Sequence, residues 1–176
     1  MDGDAEQDVT AALAPVATES GRNVLALAEA SPVLLVFLRH FGCPFCRRTI
    51  GDVAELRTEL AKRGVRPVFV HMGTPEVAKA TFDYYGMSDV ERVNDPGAVL
   101  YKHPAFALAQ TGMISQVLKW PVVMAAARTL LKHGIGKIEG DGQQMPGIFF
   151  LKERKIVRRF VPRTIADQAD YLGLVA

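Results

Sequence analysis

The sequence holds only two cysteines and one tryptophan in 176 residues. Two cysteines cannot staple a disulfide scaffold, and a chain of this size buries enough core to do without one. Charge of neither sign dominates: 21 Lys+Arg stand against 19 Asp+Glu, a formal net charge of +2. No broad field points to nucleic acid or to acidic lipid, and neither is expected as a partner. The N-terminus, MDGDAEQDV, is acidic where a secretion signal is basic, and no apolar core follows it at once. A clean run of bilayer length is also missing. The most apolar stretch, residues 113–131, is interrupted by Gln116, Lys119 and Arg128, whereas a span needs about 20 nearly uncharged residues. It reads as a partly buried helix and not as a membrane span. These absences point to a reducing, cytoplasmic setting, where a close cysteine pair is catalytic or metal-binding.

What is present is an α/β pattern. Residues 1–8 carry four acidic groups and read as a frayed tail. Residues 1–22 form that tail plus a short helix at 9–18, ahead of a main domain at 23–176. A helical turn is expected at 23–30. Residues 33–38, VLLVFL, are six consecutive apolar side chains, the pattern of a strand buried on both faces. Pro44 suits the first position of a helix, where its missing N–H costs nothing. Cys46, Ile50, Val53, Leu56 and Leu60 then recur at steps of three and four, which puts them on one helical face running to about residue 63. Residues 66–71 form a second buried strand, parallel to the first because a helix joins them. Thr74 caps a helix to about residue 85. A short strand at 90–93, a helical segment at 98–109 broken by Pro104, and a long helix at 114–132 kinked at Pro121 follow. A glycine-bearing loop spans 134–142. Residues 147–151 and 156–161 make an antiparallel hairpin, and a closing helix is expected at 164–172.

The chemistry lies in Cys43-Pro44-Phe45-Cys46, at the exit of a buried strand and the first turn of a helix. Free N–H groups and the positive dipole end stabilise a thiolate there. On this reading Cys43 is exposed and attacks, while Cys46 lies one turn further in and resolves. His40, Arg47 and Arg48 add positive charge that lowers the thiol pKa further. The alternative is a zinc clip: His40, Cys43 and Cys46 are three potential ligands, with His71, His103 or His133 as a fourth. Pro44 between the cysteines favours redox chemistry, so no metal and no cofactor is expected.

Met145-Pro146 precedes a second apolar strand. Together with the cysteine pair this resembles the thioredoxin fold: a central mixed sheet flanked by helices, here with a helical insertion at about 96–142. The resemblance implies that Pro146 is cis and packs against the cysteines, with the Met145 backbone lining the site. The segment Phe37-Leu38-Arg39-His40-Phe41-Gly42-Cys43-Pro44-Phe45-Cys46 resembles the AhpC/TSA-like, peroxiredoxin-like family, and most of all its peroxiredoxin-like 2 subgroup. That resemblance covers roughly residues 24–174. It implies an antioxidant-type thiol oxidoreductase acting on peroxides or disulfides, with thioredoxin or a low-molecular-weight thiol as reductant and a homodimer as a compatible assembly. Some animal members are described as reductases of prostaglandin-type endoperoxides. One departure stands out. The standard peroxiredoxin pattern P-x-x-x-T-x-x-C meets Val36 in place of Pro and His40 in place of Thr, so the hydroxyl that orients peroxide is missing.

A different class of function remains open: a redox-responsive or metal-clipped interaction module without turnover, using the 113–131 helix to bind a partner. Residues 152–163, with six basic side chains against one acidic, read as a solvated hairpin edge. Trp120 reads as core or interface, and nothing local aligns Arg128 with the thiols.

Overall fold

The computed structural model describes residues 9–110, 129, 141–164 and 166–176. The 1–8 tail, the 114–132 helix with Trp120 and Arg128, and most of the 134–142 loop lie outside the described residues.

The first described residues, 9–13, are helical, and Val9, Ala12 and Leu13 are buried. Helix α1 (Val24–Ala30) follows, capped by the Asn23 side chain, which accepts from the Ala26 N–H. Strand β1 (Val33–Phe37) is buried at every position, as its unbroken apolar run requires of a strand covered on both faces. Helix α2 (Pro44–Glu55) and helix α3 (Arg57–Lys62) come next. They replace the single helix expected to residue 63, because Leu56 leaves helical geometry at φ −89°, ψ 0°. Cys46, Ile50, Val53 and Leu60 still share a buried face across the break. Gly64, at φ +69°, turns the chain out of α3.

Strand β2 (Arg66–His71) pairs parallel with β1. Helix α4 (Pro75–Tyr84) opens on its Thr74 cap and leads to β3 (Glu91–Asn94), parallel to β2. Of the expected 98–109 helix only one turn forms, α5 (Val99–Lys102). Asp95 fixes its start by accepting from the N–H groups of Val99 at 2.9 Å and Leu100 at 2.8 Å. Strands β4 (Gly147–Lys152) and β5 (Lys155–Phe160) form the hairpin. Its turn places Glu153 at φ 51° and Arg154 at φ 69°, the two left-handed residues of a tight hairpin connection. The closing helix is shorter and later than expected, α6 (Tyr171–Leu174). Before it, the Asp167 carboxylate accepts from the N–H groups of Arg163 and Thr164, at 2.8 and 3.0 Å, and holds a compact turn instead of a helix.

The sheet order is β3-β2-β1-β4-β5, with β4 antiparallel to β1. Alternation along the strands feeds two cores. Val33, Leu35 and Phe37 pack with α1 and the 98–108 segment. Leu34 and Val36 pack with α2, α4 and α6. This is the mixed, helix-flanked sheet expected from the sequence, and it carries Cys43 to the end where β1 and β2 finish.

The Met145–Pro146 bond is trans, since the described residues contain no cis peptide bond. The cis bond implied by the thioredoxin resemblance is therefore overturned. Trans is the intrinsically preferred X–Pro form by about 0.5–1 kcal/mol, and the neighbouring contacts hold the strap extended. The Met145 N–H donates to the Ala109 carbonyl at 3.0 Å, and the Gln144 amide donates to the Leu108 carbonyl at 2.9 Å.

Candidate functional site

Cys43 is the N-cap residue of α2, in extended geometry at φ −77°, ψ 120°. Pro44 occupies the first turn, where its ring presets the helical φ. The Cys43 N–H donates to the His40 carbonyl at 3.1 Å, which tightens the loop, and the Cys43 carbonyl accepts the Arg47 N–H at 3.1 Å, which starts the helix. Cys46 lies one turn on, and both thiols are free.

Both sulfurs are buried. Cys43 is 5% exposed and Cys46 4%. The expectation of an exposed Cys43 is thus corrected: the chain after β5 returns to wall off the helix end. Cys43 and Cys46 line a cleft between α2, the start of β4 and residues 160, 162, 166–169 and 171.

The two thiols are electrostatically unequal. The Cys43 thiol is lowered to about 7. The hydrogen bond from the Cys46 thiol is the first cause; the Cys46 and Phe45 N–H groups and the Arg39 charge add to it, against the cost of burial. The Cys46 thiol is pushed well above its usual range by that same bond, by burial and by the facing Cys43. The Arg39 N–H also reaches Cys46 Sγ, at 3.3 Å. A thiolate at the helix end backed by a protonated neighbour suits stepwise thiol–disulfide chemistry.

The other sequence-marked residues divide. Pro146 lines the cleft with both cysteines, although its bond is trans. Met145 stands behind the wall, packed with Phe45 and Ala166. His40 is absent from the cleft walls. Burial, and then the Arg39 charge, lower its pKa to about 4. It is neutral at pH 7 and supplies no positive charge, contrary to expectation. Arg47 turns the other way, with its guanidinium over Tyr84 and Tyr85 at 5.4 and 5.6 Å from the ring centres. Arg48 does line the cleft, paired with Asp52 at 3.6 Å. Among the described residues no group of three or more His, Cys, Asp or Glu side chains gathers as a metal site, so His40, Cys43 and Cys46 are not so arranged.

Three residues escaped the sequence reading. Arg39 is 4% exposed, lines the cleft, and donates from Nε to the Gly142 carbonyl at 2.7 Å. Its signal was a cation directly after an apolar strand. Tyr101 is fully buried, and its hydroxyl donates to the Leu38 carbonyl at 2.5 Å, with the Val70 carbonyl at 3.0 Å. It ties together the ends of β1 and β2 beneath the site. Tyr171, in α6, reaches the cleft and bonds Thr49, and its pKa is raised to about 12, chiefly by burial. No local pattern marked either tyrosine.

Comparison with known proteins places this arrangement. The model of the AhpC/TSA family matches residues 5–160. The chain is 26% identical over 165 residues to prostamide/prostaglandin F synthase of Salmo salar, covering 88% of this chain and 82% of that protein. Among solved structures, peroxidoxin BcpB of Mycobacterium tuberculosis superposes with TM-score 0.62 at 15% identity, over 91% of this chain and 89% of that one. Peroxiredoxin Q of Xanthomonas campestris gives 0.59 at 14% identity, over 86% and 81%. A secreted Mycobacterium tuberculosis disulfide oxidoreductase homologous to DsbE of E. coli gives 0.55 at 16% identity, over 91% and 92%. These likenesses establish a thioredoxin-like fold. Among the described residues no helix is long and apolar enough to cross a membrane.

Proposed function

Because the chain belongs to the AhpC/TSA family of thiol oxidoreductases, we propose that Cys43 and Cys46 are its working dithiol, which reduces a peroxide or a disulfide. The observation that carries this reading is the placement of Cys43 at the N-terminal end of α2 with Cys46 one turn on, both lining one cleft, with the Cys43 pKa lowered and the Cys46 pKa raised.

With a hydroperoxide, the Cys43 thiolate attacks one peroxide oxygen. The S–O bond forms, the O–O bond breaks, and the leaving oxygen takes a proton from cleft water as an alcohol. Cys46 then attacks the sulfenate sulfur. The S–S bond forms and the S–O bond breaks, and the departing hydroxide leaves as water with the Cys46 proton. Two thiols of a reductant, thioredoxin or a small thiol, return the two electrons and emerge as a disulfide. With a disulfide substrate, Cys43 displaces one sulfur and Cys46 resolves the mixed disulfide. His40, in place of the peroxide-orienting Thr and off the cleft walls, supports slower attack on hydrogen peroxide than a standard peroxiredoxin achieves. A pair that must return to its dithiol form in each cycle suits a reducing compartment such as the cytosol.

Intact-mass analysis after limited peroxide tests the reading. The wild type should lose two hydrogens as a monomer carrying a Cys43–Cys46 bond, and Cys46→Ser should accumulate sulfinate or mixed disulfide on Cys43. If Cys43 stays untouched by peroxide while a small disulfide oxidises the pair, the protein is a disulfide reductase. If neither oxidises it, the reading fails.

A further inference from the structure

Resolution asks more of Cys46 than its resting state supplies. It must lose a proton and attack, yet the residue is 4% exposed, and its thiol is held high by the bond to Cys43, by burial and by the Cys43 charge. Once Cys43 is bonded to a substrate sulfur, that charge is gone, and a Cys46 thiolate depends on the donors around it. The N–H groups of His40 and Arg39 favour it, and the Arg39 N–H lies 3.3 Å from Sγ.

That N–H belongs to the peptide joining Leu38 to Arg39, just past the end of β1. A trans peptide aims its carbonyl and its N–H to opposite sides, and the described residues hold no cis bond. One core holds Cys46 and the other holds Tyr101. The Leu38 carbonyl accepts from the Tyr101 hydroxyl at 2.5 Å, the shorter of that hydroxyl's two contacts. A path of hydrogen bonds thus crosses the sheet, from Tyr101 Oη through one peptide unit to Cys46 Sγ. Donation to the carbonyl makes the N–H of the same peptide a stronger donor, because chains of hydrogen bonds polarise one another. Each part is held in place. Tyr101 is fully buried in α5, whose first turn Asp95 caps. Its ring meets Phe37 edge to face, with centres 4.9 Å apart. Burial, and then the Cys46 and Asp95 charges, push the phenol well above its usual range, so the hydroxyl keeps the proton it donates. The Leu38 N–H donates to the Val70 carbonyl at 2.9 Å, which ties the strand end to β2 independently of Tyr101.

We propose that Tyr101 is a positioning residue for resolution: through the Leu38–Arg39 peptide it aims and strengthens the N–H that stabilises the Cys46 thiolate. This deepens the dithiol reading and rests on it. The test follows reaction of the reduced protein with dipyridyl disulfide, which releases coloured thiopyridone. Cys43 attacks one sulfur, the S–S bond breaks, and a first thiopyridone leaves with a proton. Cys46 then attacks the Cys43 sulfur. The Cys43–Cys46 bond forms, the mixed disulfide breaks, and a second thiopyridone leaves with the Cys46 proton. Tyr101→Phe keeps the ring and removes the hydroxyl. Its first release should stay near the wild-type rate, and its second should slow by about threefold or more at neutral pH, within the range of one hydrogen bond. The slowing should fade as pH rises and Cys46 ionises unaided. A second release slowed less than this, slowed equally at every pH, or slowed no more than the first overturns the proposal. A wild type that releases at most one equivalent fails the dithiol reading and takes the proposal with it. A wild type that releases two, with Tyr101→Phe unchanged, overturns the proposal alone. Where Tyr101→Phe does not fold, a ring-fluorinated tyrosine placed at position 101 decides it. Its more acidic hydroxyl donates more strongly, so the second release should quicken, and a release no faster than wild type overturns the proposal.

Discussion

At the scale of the residue, Arg39 is the informative side chain. Buried cations are ordinarily paired with a carboxylate. Among the described residues no carboxylate pairs with Arg39, and its guanidinium donates to the Gly142 carbonyl. The anion beside it in the cleft is the Cys43 thiolate, and the Arg39 charge is among the causes of the low Cys43 pKa. Pulse alkylation of the reduced protein at pH 7 should therefore label Cys43 before Cys46. In Arg39→Gln the midpoint of the Cys43 labelling rate against pH should rise by about one unit, the low end of what one neighbouring charge does. Arg39→Lys should recover part of the shift. An unmoved midpoint in a folded Arg39→Gln leaves the helix end and the Cys46 bond as sufficient causes. The sign extends to stability. A thiol at about 7, against 9.0 for a free one, holds fewer protons folded than unfolded between those values. Cys43 thus stabilises the reduced fold fully above 9, and that contribution is lost as pH falls through 7. Cys46, raised instead, opposes it once pH passes 9.

At the scale of the element, strands β1 and β2 were readable because burial on both faces leaves apolar runs, and the hairpin because a charged turn separates the apolar run of β4 from a second, more polar strand that begins Lys155-Ile156-Val157. The redox motif was readable for a local reason, since Pro44 can only begin a helix. What escaped was set by distant contacts. Cys43 was expected to be exposed, but residues 160–171, well over a hundred positions away, wall it off. The strap before β4 was expected to carry a cis Pro146, but its geometry follows from Leu108 and Ala109. That same junction explains Gly147 at the start of β4. A Cβ there would lie 2.6 Å from Leu108 Cδ2 and 3.1 Å from Phe149 Cε2, so a side chain at this point would have to push the buried Leu108 aside. Gly147→Ala should cost about 1–3 kcal/mol in urea unfolding, the usual range for overpacking. Leu108→Ala should return part of that loss in the double variant, which isolates the contact. Additive losses would place the cause of the glycine elsewhere.

At the scale of the whole molecule, the two sheet edges are managed differently, and one is wired to the site. The β5 edge carries Lys155, Arg158 and Arg159, charges that discourage pairing with another chain. The β3 edge is covered by the chain before α1. The Glu19 N–H donates to the Arg92 carbonyl at 2.7 Å, and buried Glu91 accepts from Ser20 at 2.8 Å and from Arg22. Glu19 reaches further: its carboxylate bonds Arg92 Nε and His71 Nε2, each at 2.8 Å. The His71 ring, 1% exposed at the end of β2, packs tilted against Phe41, with ring centres 5.2 Å apart, in the loop that delivers Cys43. Glu19→Ala leaves a buried imidazole nitrogen without its partner, at a cost of about 1–3 kcal/mol in unfolding free energy. Glu19→Gln keeps a hydrogen-bonding group in place and should cost less. The pH dependence separates this network from simple packing. Burial lowers the His71 pKa below 6.5, while Glu19 pulls it back up. The folded protein therefore binds fewer protons than the unfolded chain below pH 6.5, and it should lose stability as pH falls from there. Without Glu19 the pKa drops further and the losing window widens. Urea midpoints between pH 7.5 and 5 should thus fall more steeply for Glu19→Ala than for wild type. Parallel curves would mean that Glu19 holds the edge strand without holding the histidine beneath the cysteine loop.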